Sequence, residues 1–109
     1  MTFFTINELE QKEIIAGLNL GAVYLDKLML TFVDFEPGIE LPEHSHPHEQ
    51  ITLVIEGTLE FTLGEETKIL NAGQGVAIAS NVPHSARSLA GPARVVDAWH
   101  PVREDYKLG

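Results

Sequence analysis

The chain has 109 residues, 16 acidic and 7 basic for a formal charge of −9, with 44% hydrophobic residues and no cysteine. That length holds one domain with its own core, and the missing cysteines exclude disulfides, thiolate metal sites, iron–sulfur clusters and cysteine nucleophiles. The acidic balance argues against a nucleic-acid partner, and no apolar run approaches the roughly 20 residues of a membrane span.

Residues 1–13 carry no basic n-region and no long apolar run, so no signal peptide is expected and a cytoplasmic location is. Residues 7–14 are the one helical candidate, with Asn7 as its N-cap, and the overlapping 12–18 is a strand candidate. The next strand is 28–35, with Leu28, Leu30 and Phe32 on one face and Met29, Val33 and Phe35 on the other, ended by Pro37-Gly38. Strands follow at 51–55 and 58–63, the second alternating Leu59, Phe61 and Leu63 with polar residues, and then at 67–70, 75–79, 84–89 and 93–99. Short strands about every ten residues predict an all-β antiparallel barrel or sandwich over the whole chain, 1–109.

Five histidines occur, three of them in His44-Ser45-His46-Pro47-His48. Residues two apart on a strand share a face, so His44 and His46 can aim two imidazoles into one cavity, and Gln50 has the same parity. Glu49 has the opposite parity, and Pro47 sets His48 aside to the surroundings or the surface. His84, just after the loop 80–83, is the natural further ligand from a distant strand. Surface histidines in a polar loop are the alternative.

The stretch Gly38 to Gly57 resembles the first motif of the cupins, G-x5-H-x-H-x3-E-x6-G, with Gln50 in the place of Glu. The second motif, G-x5-P-x-G-x2-H-x3-N, is matched at Gly73 and His84 and departs at Ala79, Asn81 and Ser88. Asn81 in place of Gly is a mild change, because Asn tolerates the left-handed conformation. The resemblance implies a cupin double-stranded β-helix (jelly-roll barrel) with a core over about 25–100 and one divalent metal ion near its mouth. His44, His46, Gln50 and His84 would be its ligands, a donor set that suits Zn, Ni, Co, Mn or Fe. The neutral Gln50 would leave the ion's full charge in place, favouring an anionic substrate. The resemblance also implies a homodimer, with the N-terminal region 1–24, and Phe3, Phe4 and Ile6 in it, at the interface.

Near the C-terminus Val95, Asp97 and Trp99 share one strand face and Val96, Ala98 and His100 the other. Asp97 and Trp99 are therefore either a substrate wall or, more plainly, a turn cap and a core residue. Arg103 either folds back over the barrel mouth or pairs at the surface with Glu104 or Asp105. His-Ser-His-Pro-His-Glu-Gln at 44–50, Ser-Asn-Val-Pro-His at 80–84 and Asp-x-Trp-x-Pro-x-Arg-Glu-Asp at 97–105 resemble the pectin-degradation cupins. That resemblance implies conversion of 4,5-unsaturated uronate monosaccharides, which are anionic sugar acids, to open-chain keto forms. Asp97 would be the acid/base, Arg103 the carboxylate anchor and Trp99, where the family commonly has Phe, a wall for the ring. The alternatives are a metal-dependent cupin dioxygenase and a non-enzymatic sugar- or ligand-binding cupin.

Overall fold

Alternation of apolar and polar residues with period two organises most of the chain into strands, and hydrogen-bonded ladders bring the apolar faces together. The computed structural model describes residues 2–107. Its strands are β1 (Lys12–Ile15), β2 (Leu18–Tyr24), β3 (Met29–Phe35), β4 (Glu40–His44), β5 (Glu49–Glu56), β6 (Thr58–Leu63), β7 (Glu66–Asn71), β8 (Gly75–Ile78), β9 (His84–Ser88) and β10 (Ala93–His100). They form two antiparallel sheets, ordered β1-β2-β3-β10-β5-β8 and β4-β9-β6-β7. This is the all-β antiparallel architecture expected from the strand spacing, in the jelly-roll form that the cupin resemblance implies. Among the described residues no helix is long and apolar enough to cross a membrane.

The inner faces of the two sheets enclose the core. Leu18 and Leu20 of β2, Val33 and Phe35 of β3, Val54 of β5 and Val95 of β10 face Leu59 and Phe61 of β6, Leu70 of β7 and Ala86 of β9. The core thus reaches N-terminal to residue 25, because β2 pairs along its full length with β3. On β10 the buried set is Ala93, Val95, Asp97 and Trp99, the parity read from the sequence. On β3 it is Met29, Thr31, Val33 and Phe35 together with Phe32, whereas Leu28 is exposed. Phe32 lies on the outer side, where the ring of Phe4 covers it at 6.0 Å.

Two expectations are corrected. Residues 7–14 do not form a helix: Ile6–Glu8 is a single 3₁₀ turn, Asn7 lies inside it, Thr5 occupies the cap position, and Lys12 already belongs to β1. Eight residues are too few to hold a helix alone, and Lys12 and Glu13 gain partners opposite Leu20 and Asn19 of β2. The segment 12–18 is likewise not one strand, because Ala16 and Gly17 turn the chain from β1 into β2.

The turns on either side of β6 place unequal demands on side chains. Gly57, between β5 and β6, has φ +79°, and a methyl group built there falls on the carbonyl oxygen of Pro92. Gly64, in the next turn, has φ +59° but open space around it. Left-handed backbone costs a non-glycine residue about 1–2 kcal/mol, and the clash at Gly57 adds to that. Urea unfolding should therefore show Gly57→Ala destabilised by more than Gly64→Ala, with the latter near that 1–2 kcal/mol. Equal losses would contradict this packing.

Candidate metal centre

Sheet register assembles the site. His44 of β4 stands directly opposite His84 of β9, while His46 lies in the short connection from β4 to β5. Gln50 of β5 stands opposite Trp99 of β10, and one row deeper Asp97 of β10 stands between Thr52 of β5 and Thr31 of β3. The parity argument thus reached His46 by a route the backbone does not take, since a loop and not a strand carries it. His44, His46 and His84 nonetheless offer ring nitrogens within 4.8 Å of one another.

Each of the three rings is fixed by a backbone carbonyl. Nδ1 of His44 lies 2.9 Å from the oxygen of Pro42, Nδ1 of His46 3.1 Å from that of His48, and Nδ1 of His84 2.8 Å from that of Val82. A carbonyl only accepts, so each Nδ1 carries the proton and each Nε2 is left with a lone pair. This is the arrangement in which histidines bind metal. His48, set aside by Pro47, contributes to it through its main-chain oxygen. Burial, above all else, pushes the pKa of His46 and of His84 below the usual histidine value, which keeps both rings neutral.

Two atoms test whether an ion fits. Nε2 of His84 is buried with no hydrogen-bond partner. Nε2 of His46 lies 3.0 Å from Oε1 of Gln50. The Gln50 amide cannot simply turn over, because its Nε2 donates to Thr52 Oγ1 at 2.8 Å and to Asp97 Oδ1 at 3.2 Å. Two lone pairs therefore face each other in a buried place, which costs free energy unless a cation lies between them. Three imidazoles and an amide oxygen suit a divalent transition ion.

Asp97 lies beside this group and is only 6% exposed. Its Oδ1 accepts from Thr52 at 2.6 Å and its Oδ2 from Thr31 at 3.2 Å. Burial pushes its carboxyl pKa up, and the Thr52, Gln50 and Thr31 hydrogen bonds and the charge of Arg103 pull part of the way back. Trp99 Nε1 donates to Thr31 at 2.9 Å, so one threonine holds both Asp97 and Trp99. The Trp99 ring meets His46 edge to face at 5.1 Å. Arg103 does fold back over this end of the barrel, its guanidinium 4.8 Å from the Trp99 ring and 4.2 Å from the Tyr106 ring. It also makes the ion pair with Asp105, at 2.8 Å, so both readings of its role describe the same side chain.

Sequence reading passed over Thr31, Thr52 and Tyr106. The first two had a signal, since each is polar at a position whose neighbours two residues away face inward. Tyr106 had none, because it follows the last strand and no period places it.

The double variant His44→Ala/His46→Ala should stay folded by circular dichroism and lose divalent-ion binding, read as metal per chain by elemental analysis. Removing the ion from the wild type with a chelator should lower its melting temperature, since an ion that binds only the folded chain stabilises it. Equal metal content in variant and wild type would remove these histidines from the site.

The family model described as a cupin domain (Cupin_2) matches residues 31–99. Among solved structures, KdgF from Halomonas sp. is 28% identical with a TM-score of 0.92, over 98% of this chain and 99% of that one. An RmlC-like cupin from Shewanella frigidimarina is 27% identical with a TM-score of 0.91, over 98% and 96%. The HTH-type transcriptional regulator PuuR of Escherichia coli is 34% identical over 76 residues, 68% of this chain and 41% of that protein, so the chain spans less than half of this curated relative. The sheet order, the facing histidines and the family match together establish that the chain belongs to the cupin family.

Proposed function

We propose that the protein is a cytoplasmic, metal-dependent enzyme that converts 4,5-unsaturated uronate monosaccharides to their linear keto forms. The observation that carries this reading is the buried Asp97, held in a threonine row beside the candidate metal ligands and within reach of the charge of Arg103, which packs on Trp99. The resemblance of residues 44–50, 80–84 and 97–105 to the pectin-degradation cupins and the likeness to KdgF support it.

The reaction is an isomerisation in which the hemiacetal hydroxyl loses its proton, the bond from carbon 1 to the ring oxygen breaks, and carbon 4 gains a proton. A divalent ion held by His44, His46, His84 and Gln50 would supply Lewis acidity toward the sugar oxygens. Asp97 takes the hydroxyl proton and returns one to carbon 4, so no net proton is consumed. A buried carboxyl whose pKa burial raises above the usual carboxylate value suits both halves of that task. Arg103 meets the substrate carboxylate: its Nη1 is buried and without a partner, although Nε and Nη2 are spent on Asp105. Trp99 walls the ring, with His46, Arg103 and Tyr106 packed around it.

We also propose a homodimer formed through the outer face of the larger sheet. Ile51 and Leu53 of β5 are 60% and 42% exposed, and they stand in register with the outward Ala98 and Val96 of β10. Phe3, at 95% exposure, and Leu28, at 55%, are further exposed apolar side chains. A contiguous apolar face of this kind on a β-sheet marks an interaction site, and a second copy presents the same face to it. Light scattering should give the wild type twice the 12.0 kDa chain mass, and Ile51→Lys/Leu53→Lys should give the single mass. A wild type of single mass would rule the dimer out.

The activity is tested by incubating the metal-loaded protein with lyase-generated unsaturated monouronate and following loss of the ultraviolet absorbance of the conjugated double bond. Asp97→Asn should lower turnover by roughly two to four powers of ten with metal content unchanged, the usual scale for a general acid–base group. Arg103→Ala should mainly raise KM. No absorbance change with the wild type, together with tight sugar binding, would make this a binding protein; oxygen consumption would make it a dioxygenase.

A further inference from the structure

The interior cavity that contains the candidate site is lined by His44, Gln50, His84, Asp97, Trp99 and Tyr106 at its polar end, and its volume is only about 40 Å³. That is space for roughly three waters. The segment 101–107 closes the space. Val102 packs against Met29 and Trp99, and Tyr106 covers Trp99 and Arg103.

The attachment of this segment is unlike that of the strands. Outside the ladders, and among the described residues, its main-chain hydrogen bonds are its own, Tyr106 N–H to the Arg103 oxygen and Lys107 N–H to the Glu104 oxygen. The barrel grips it through side chains. Lys12 of β1 donates from Nζ to the main-chain oxygen of Asp105 at 2.8 Å, and Lys107 lies over the Tyr24 ring at 5.0 Å. An element without ladder bonds opens at lower free energy than the sheets it rests on. Arg103, one of its residues, has a buried N–H with nothing to donate to. An anionic ligand beneath it would satisfy that group only with the segment closed, so the ligand would favour closure.

We propose that residues 101–107 form a lid that lifts to admit the ligand and closes over it, with Tyr106 as the residue that seals the cavity and Lys12 as the latch. The lid makes the site an enclosed chamber, and it thereby selects a single free sugar ring against one that carries a further glycosidic residue. In its ligand class this rests on the function proposed above; in its mechanics it does not.

Trp99 is the only tryptophan and lies under the lid at 4% exposure, so its fluorescence reports opening. Acrylamide should quench it weakly in the wild type and several-fold more strongly in Lys12→Ala, whose altered side chain lies outside the core, and in Tyr106→Ala, with circular dichroism unchanged for Lys12→Ala. Unsaturated monouronate should reduce quenching of the wild type further, and an unsaturated disaccharide should bind the wild type several-fold more weakly, a gap that Tyr106→Ala narrows. Equal quenching of wild type and Lys12→Ala overturns the lid, and equal binding of the two sugars by the wild type overturns the selection. If neither sugar binds while the quenching difference is present, the uronate reading fails and the lid stands.

Discussion

The site depends on two electron-rich atoms that the fold holds face to face, Nε2 of His46 and Oε1 of Gln50, 3.0 Å apart. Neither can escape. The His46 ring is tied at Nδ1 to the His48 carbonyl, and the Gln50 amide at Nε2 to Thr52 and Asp97. A protein spends this much fixed hydrogen bonding on opposed lone pairs where something positive belongs between them. Protonating His46 would also relieve the conflict, but burial above all, and the charge of Arg103, work against it. A divalent ion relieves it without adding a proton to a crowded group, since His44 and His84 rings already lie 4.3 Å apart.

The same amide links the two halves of the chemistry. Gln50 presents its oxygen toward the histidines and its nitrogen toward Asp97, so the candidate ion and the candidate acid/base group are positioned by one side chain. A carboxylate at this position would accept from both sides and repel Asp97, which sits 3.2 Å from the amide nitrogen. Gln in place of the usual Glu thus lets a buried aspartate stand next to the ligand set. On a chain of net charge −9, positive potential for the proposed anionic ligand has to be local, and Arg103 would supply it.

Much of this was legible in the sequence because β-structure writes its inward face at every second residue. The alternation in 58–63 and 93–99 located two core strands, and the spacing of the motif glycines and histidines located the barrel mouth. Asn81 takes φ +65° where the motif has glycine, as its tolerance of that region implied. The hairpin β1–β2 was not legible, because its two strands are joined by Ala16-Gly17 inside an apolar run with no polar break. The polar charges of residues 7–14 suggest a helix, and only pairing with β2 decides otherwise. The composition of 51–55, almost wholly aliphatic, does not tell its two faces apart, and the outward-facing Ile51 and Leu53 leave one face of β5 open on this chain. The contribution of Thr31, two strands from Thr52 across Asp97, exists only in the register of the sheet.

The most direct test of the account is anomalous diffraction from crystals grown with zinc, with data collected on both sides of the zinc absorption edge. The account predicts one peak per chain, about 2.1 Å from Nε2 of His44, His46 and His84 and from Oε1 of Gln50. A site without a peak, or a Gln50 amide turned so that its nitrogen faces His46, would contradict it.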